Sequence, residues 1–229
     1  MRIGILFSGG KDSTFTLAYY LEQGWEVVCL ISLFPKTNES WMFQTSTIEF
    51  TKLQAEALEL PLIVQETAGE KEKELEDLKK ALEQAKIQYT IDGVAVGALA
   101  SDYQQERVNR ISQELGLKCF APLWHKEQAM LLREMIEGGF DIRMASVAAE
   151  GLGKEWLGKR LNKTDFEKLL ELNKKIGIHI GGEGGEYETL VLDGPIFKKW
   201  IEVKKSHLEE ENENTARWVI DEAELKEKN

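Results

Sequence analysis

Cysteine is nearly missing from this chain: its 229 residues include two, Cys29 and Cys119. No CxxC pair occurs and both thiols lie in apolar runs, so a zinc site or redox pair built on cysteine spacing is unsupported. Buried, reduced core positions are the expectation. Histidine is scarce too: His125, His179 and His207 are scattered and make no metal-ligand cluster. No run of 18 apolar residues exists, which excludes a membrane-spanning helix. The N-terminus enters a strand-like segment directly, without a basic region followed by a signal-like apolar stretch, so a cytoplasmic location is expected. Basic charge is in deficit, with 29 Lys and Arg against 40 Asp and Glu and a net charge of −11. That balance argues against a surface tracking nucleic-acid backbone, and no stable nucleic-acid binding is expected; a local basic patch stays compatible with it. What the chain has is a 42% hydrophobic content, enough for a real core, and length for one large or two small domains.

The stretch Phe7-Ser8-Gly9-Gly10-Lys11-Asp12-Ser13 organises the rest. It follows the apolar run Ile3 to Phe7 and precedes Thr14 to Gln23, where Phe15, Ala18 and Leu21 recur at helical spacing. The spacing predicts strand, glycine turn and helix. Two glycines let the backbone turn tightly and approach a ligand. The first amides of a helix lack intrahelical partners and sit at its positive end, so an anion, most commonly phosphate, is the natural ligand. The turn is not a Walker P-loop: that pattern needs Gly where this chain has Ile5, and Ser or Thr where it has Asp12. Lys11 can neutralise phosphate charge, and Asp12 is a hard oxygen ligand suited to Mg²⁺. The run Ser8 to Ser13 resembles the PP-loop of the ATP pyrophosphatases. The resemblance implies cleavage of ATP between its α and β phosphates, with AMP passed to a substrate oxygen.

Further along, apolar runs alternate with helical segments. Strands are predicted at Val27 to Ile31, Pro61 to Val64, Gly93 to Val96 and Lys118 to Ala121, with helices over Thr47 to Leu58, Gly69 to Gln88 and Ser101 to Gly116. Leu75, Leu78 and Leu82 mark the buried face of the highly charged third helix, whose charge run reads as a solvated face. Gly24 is expected to close the first helix. Alternation of this kind gives a parallel sheet flanked by helices, with a ligand crevice beyond the carboxyl ends of its strands. The loops after Phe7, Leu33, Val96 and Ala121 are expected to meet there, gathering the PP-loop-like turn, the Trp41-Met42-Phe43 loop, the segment from Ala98 to Arg110, and Trp124. A polar loop, Pro35 to Thr45, carries Trp41, Met42 and Phe43, either as a lid or packed beneath itself. Arg107 and Arg110, three apart on one helix, contact phosphate or form surface ion pairs.

Beyond Glu127 the rhythm changes. A helix to Ile136, a strand from Asp141 to Ala148, and a helix from Thr164 to Lys175 follow. For the latter, Thr164 and Glu167 are read as a capping box and Gly177 as the closing residue. Strands are expected at Thr189 to Leu192, Ile196 to Val203 and Trp218 to Ile220, before a frayed polar tail, Asp221 to Asn229. Two domains are expected, residues 1–130 and 131–229, the second a smaller α+β unit.

The second informative stretch is Gly181-Gly182-Glu183-Gly184-Gly185-Glu186-Tyr187-Glu188-Thr189. Three carboxylates crowded among glycines repel one another unless a cation, a metal or hydrogen-bond donors balance them. Such a loop binds Mg²⁺, holds ammonia or a cationic substrate, supplies a general base, or is simply a flexible acidic turn. Taken with the PP-loop, Gly97-Ala98, the Ser101-Asp102-Tyr103-Gln104 … Arg107 segment and Pro122-Leu123-Trp124, it resembles the diphthine–ammonia ligase family in its short archaeal form, over nearly the whole chain. The resemblance departs at Gln44, where relatives are expected to carry histidine. It implies a Rossmann-like (HUP/PP-loop) domain plus a family-specific C-terminal domain. The implied reaction is ATP- and Mg²⁺-dependent amidation of diphthine on translation elongation factor two, with ammonium as nitrogen donor. Implied roles are nucleotide binding by Phe7, Ser8, Gly9, Gly10, Lys11, Asp12, Ser13, Ser32, Leu33, Gly97 and Ala98, and metal binding by Asp12. Catalysis falls to Lys11, Asp12, Glu183 and Glu186, and substrate contact to Asp102, Tyr103, Gln104, Arg107, Trp124, Tyr187 and Glu188. A homodimer is compatible with it. The alternatives are a PP-loop enzyme acting on tRNA and an ATP-binding sensor without turnover.

Overall fold

Strand β1 (Arg2–Leu6) is buried on both faces beyond its first residue, as an unbroken apolar run requires of a central parallel strand. It pairs in parallel with β2 (Glu26–Pro35) on one side and β4 (Gly93–Ala95) on the other. β3 (Leu62–Thr67) and β5 (Lys118–Phe120) complete a five-stranded parallel sheet in the order β3-β2-β1-β4-β5. The structure is a computed structural model that describes residues 1–35, 50–67, 71–97 and 102–228, with the backbone alone at 35, 71–73 and 102–105. Helices α1 (Lys11–Glu22), α2 (Thr51–Leu58), α3 (Lys71–Tyr89) and α4 (Asp102–Glu114) each lie between successive strands. Leu75, Leu78 and Leu82 of α3 are buried against Leu6, Ile31, Leu33 and Ile63 from the strands. The charged face of α3 carries surface ion pairs instead, Lys79 to Glu114 at 2.8 Å and Lys80 to Asp77 at 2.9 Å. Gly24, at φ +71°, follows α1 as expected.

These elements form one unit, Met1–His125; a second comprises Lys126–Asn229. In the second, α5 (Gln128–Glu137) and α6 (Lys163–Ile176) accompany an antiparallel sheet ordered β7-β6-β9-β8. Its strands are β6 (Asp141–Ala148), β7 (Tyr187–Asp193), β8 (Lys199–Asn212) and β9 (Thr215–Glu227). No helix among the described residues is long and apolar enough to cross a membrane.

Three expectations give way here. The tail is not frayed: Asp221 to Glu227 is strand, paired with β8 through Lys199↔Glu227. β8 runs nine residues past Val203, and its outer half is exposed on both faces, so no apolar alternation marks it. The α6 capping box is Asn162 with Asp165, not Thr164 with Glu167: the Asn162 carboxamide oxygen accepts from the amides of Thr164 and Asp165, at 2.8 and 3.2 Å. Residues 47–49, and with them the start expected for α2, lie outside the described residues, as does the Trp41-Met42-Phe43 loop with Gln44.

Candidate functional sites

After β1 the chain stays in the sheet for one more residue. The Phe7 amide donates to the Ile31 carbonyl at 2.8 Å, and the Phe7 carbonyl accepts from Ser32 Oγ at 2.6 Å. Phe7, Ser32 and Leu33 are buried, so their side chains belong to the core and their backbone forms the floor of the turn. The turn is locked by its own serines. Ser8 donates its amide to Ser13 Oγ at 3.2 Å, and Ser13 Oγ donates to the Gly10 carbonyl at 3.2 Å. Gly9 has φ +79°, a conformation that favours glycine, and a Cβ there would stand 2.2 Å from Gln54 Oε1 and displace that carboxamide.

Gly10 is the N-cap of α1, and among the described residues no side-chain capping bond closes that end. The orphan amides of a first turn are in this way left to a ligand. Lys11 is 5% exposed, and its Nζ lies 2.6 Å from Asp12 Oδ2. β4 brings Gly97 to the same place: a Cβ on Gly97 would sit 2.8 Å from the Ser13 nitrogen and 2.9 Å from the Asp12 carbonyl oxygen. Strand order reverses between β1 and β4, and a doubly wound sheet opens its ligand crevice at such a reversal. The glycine turn and Gly97 meet there.

Of the other expected residues in this unit, Ala98 lies outside the described residues, and Asp102, Tyr103 and Gln104 form the backbone of the first α4 turn. Arg107 is half-buried one turn further on. Arg110 is exposed and 4.0 Å from Glu114, the ion-pair alternative. Trp124 follows β5, half-buried, its ring edge-on to His125 at 4.7 Å. Cys29 is buried and Cys119 half-buried; burial pushes their thiols up to about 12 and about 11, so neither offers a thiolate at neutral pH.

In the second unit the acidic glycine-rich loop folds on itself. Gly182 donates to the His179 carbonyl at 2.9 Å, and Gly185 donates to the Gly182 carbonyl at 3.1 Å. The Glu186 carboxylate bridges two backbone amides, His179 to Oε1 and Gly184 to Oε2, both at 2.9 Å. These hydrogen-bond donors offset the Glu186 charge, and no group of three or more metal-ligating side chains occurs among the described residues. The Tyr187 hydroxyl donates to the Ile180 carbonyl, and its ring is buried. Glu188 lies on β7, its Oε2 accepting from Ser146 Oγ at 3.4 Å, while Glu183 is exposed at the loop's tip. The three carboxylates thus have different surroundings.

Two contributors went unread in the sequence. Gln54 is fully buried, and its Nε2 donates to the Gly9 carbonyl at 2.8 Å. Its signal was a carboxamide at helical spacing among Thr51, Ala55 and Leu58, all buried. His179 accepts the Glu183 amide at Nδ1, 3.3 Å, and seemed a lone histidine because its partners come later.

A parallel sheet whose first strand runs through an uncapped glycine turn into a lysine-aspartate helix start, at the reversal of strand order, defines a PP-loop type α/β nucleotide-binding protein. Family models identify both parts of the chain: the diphthamide synthase N-terminal domain matches residues 1–119 and the diphthamide synthase C-terminal domain residues 127–226. The chain belongs to the diphthamide synthase family. Relatives described as diphthine–ammonia ligase include the Rattus norvegicus protein, 40% identical across 90% of this chain and 84% of its own length. The Homo sapiens protein is 39% identical over 91% and 85%, and the Danio rerio protein 41% identical over 88% and 86%. Among solved structures, a predicted subunit of tRNA methyltransferase from Methanocaldococcus jannaschii overlaps loosely, with TM-score 0.41 and 14% identity over 85% of this chain and 98% of that one.

Proposed function

We propose that this chain is an ATP-dependent ligase that amidates diphthine on translation elongation factor two, in the cytoplasm, with ammonium as the nitrogen donor. The carrying observation is the uncapped turn from Ser8 to Ser13, with Lys11, Asp12 and Gly97 around it. The chain's likeness to diphthine–ammonia ligases supports this choice of reaction.

A carboxylate is a poor acyl donor because its leaving group would be oxide. In the proposed first step the carboxylate oxygen attacks the α phosphorus of ATP, the bond to the β phosphate breaks, and pyrophosphate leaves. Ammonia then attacks the acyl carbon, AMP departs with the electron pair of the acyl–oxygen bond, and nitrogen loses a proton. Backbone amides at the start of α1 hold phosphate oxygens, and Lys11 offsets their charge where burial strengthens the attraction. Asp12 is partly exposed beside that turn, and one carboxylate oxygen completed by phosphate oxygens and water is the ordinary habit of Mg²⁺. Such an ion would screen the phosphates and hold them in line. The unit Met1–His125 serves as the nucleotide domain and Lys126–Asn229 as the substrate domain. Glu183 and Glu188 attract the trimethylammonium group of diphthine by charge. Glu186 and Tyr187 act by holding the loop in shape.

The test is steady-state release of AMP from Mg-ATP. The reading expects it to require both ammonium and elongation factor two bearing diphthine. Release supported by tRNA in place of the elongation factor would contradict it.

A further inference from the structure

From the geometry of Gln54 we infer that this residue of α2, 45 positions from the turn in sequence, is a positioning residue for phosphate: it aims the Gly10 amide into the nucleotide cradle. The inference rests on the phosphate-binding reading of that turn. Gln54 is fully buried, and its Nε2 holds the Gly9 carbonyl at 2.8 Å. Among the described residues no peptide bond is cis. In a trans peptide the carbonyl and the following N–H point in opposite directions. Fixing the Gly9 oxygen toward α2 therefore turns the Gly10 N–H away from α2 and into the turn. There it meets Ser8 Oγ at 3.4 Å, longer than an ordinary N–H···O bond, so the amide passes to a phosphate oxygen at little cost.

The peptide needs such a clamp because glycine permits it to flip. With φ +79° at Gly9 and no side chain at either glycine, local sterics hardly define its orientation. Ser8 and Ser13 lock the two ends of the turn, but neither touches the Gly9 carbonyl in the bonds they make. Gln54 supplies the missing constraint from a helix that the sheet positions independently.

The experiment uses the full chain and calorimetry with two probes, α,β-methylene-ATP and adenosine. Gln54→Met keeps side-chain length and removes the donor; Gln54→Asn keeps the amide but falls one methylene short, and it decides the matter if the methionine variant does not fold. Losing one well-aligned bond predicts affinity for α,β-methylene-ATP about 3- to 10-fold lower in each variant, with adenosine affinity and the KM for ammonium unchanged. Unchanged α,β-methylene-ATP affinity overturns the inference, and so does an equal loss for adenosine, which marks a purely structural residue. If the wild-type chain binds adenosine but not α,β-methylene-ATP, the phosphate reading itself falls. That result is distinct from a failure of Gln54 alone.

Discussion

Lys11 and Asp12 are neighbours in sequence with different proposed tasks, and they are held in contact at 2.6 Å. A lysine that is 5% exposed needs a counter-charge; Asp12 provides one in this structure, and phosphate would provide a stronger one. Lys11→Ala removes the charge held against phosphate, and Asp12→Ala removes the oxygen proposed for Mg²⁺. Each is expected to lower AMP formation by at least about 100-fold, the scale of one lost electrostatic contact to a transition state. Circular dichroism and a cooperative melt should stay native, because β1 and the sheet beneath do not depend on either side chain. A variant with full turnover would remove that residue from the chemistry. Glu186 belongs elsewhere. Its carboxylate accepts two backbone amides, and Glu186→Gln turns one acceptor into a donor facing an N–H. The expected result is a raised KM for the protein substrate with ATP binding unchanged; a raised KM for ATP instead would contradict the assignment to loop shape.

Elements differ in how they are held, and so in their response to solvent. The β8–β9 hairpin is laced by surface charges: Glu224 lies 2.6 Å from Lys226 and 2.9 Å from Lys204. Hydrogen bonds from Lys226 and Lys204 hold the Glu224 carboxyl down at about 2, against an ordinary 4.5. A carboxyl depressed in the folded state adds stability that is fully present above about pH 4.5 and is lost as pH falls through about 2. Glu224→Gln should therefore lower the protection of hairpin amides from exchange at neutral pH, with the difference vanishing near pH 2 and shrinking in 1 M salt. A difference that persists at pH 2 would assign the effect to packing. The same hairpin explains what the sequence left unreadable. Strands such as β1 and β4 announce themselves because burial on both faces demands an unbroken apolar run. From Lys204 to Asn212 both faces are exposed, and pairing with β9 rather than burial makes the strand. At α6 two overlapping signals competed, Asn162 with Asp165 and Thr164 with Glu167; the earlier pair caps because the helix begins at Lys163. The turn from Ser8 to Ser13 was legible because all its parts are local. Gln54 was not, since the carbonyl it holds is 45 residues away, and no local pattern carries that distance.

For the molecule as a whole, two units divide the proposed labour, with the phosphate cradle in Met1–His125 and the acidic loop in Lys126–Asn229. The net charge of −11 suits recognition of a cationic group better than of a nucleic-acid backbone. Membership of the diphthamide synthase family joins both units to one reaction, and the central claim is that the reaction ends in an amide. The most direct measurement incubates the protein with Mg-ATP, ammonium and elongation factor two bearing diphthine. It follows the mass of the modified histidine peptide, using ¹⁵N-ammonium as label. The account predicts that the carboxylate becomes an amide carrying the label, with one AMP and one pyrophosphate formed per conversion. An unchanged peptide mass, with ATP still bound, would contradict it.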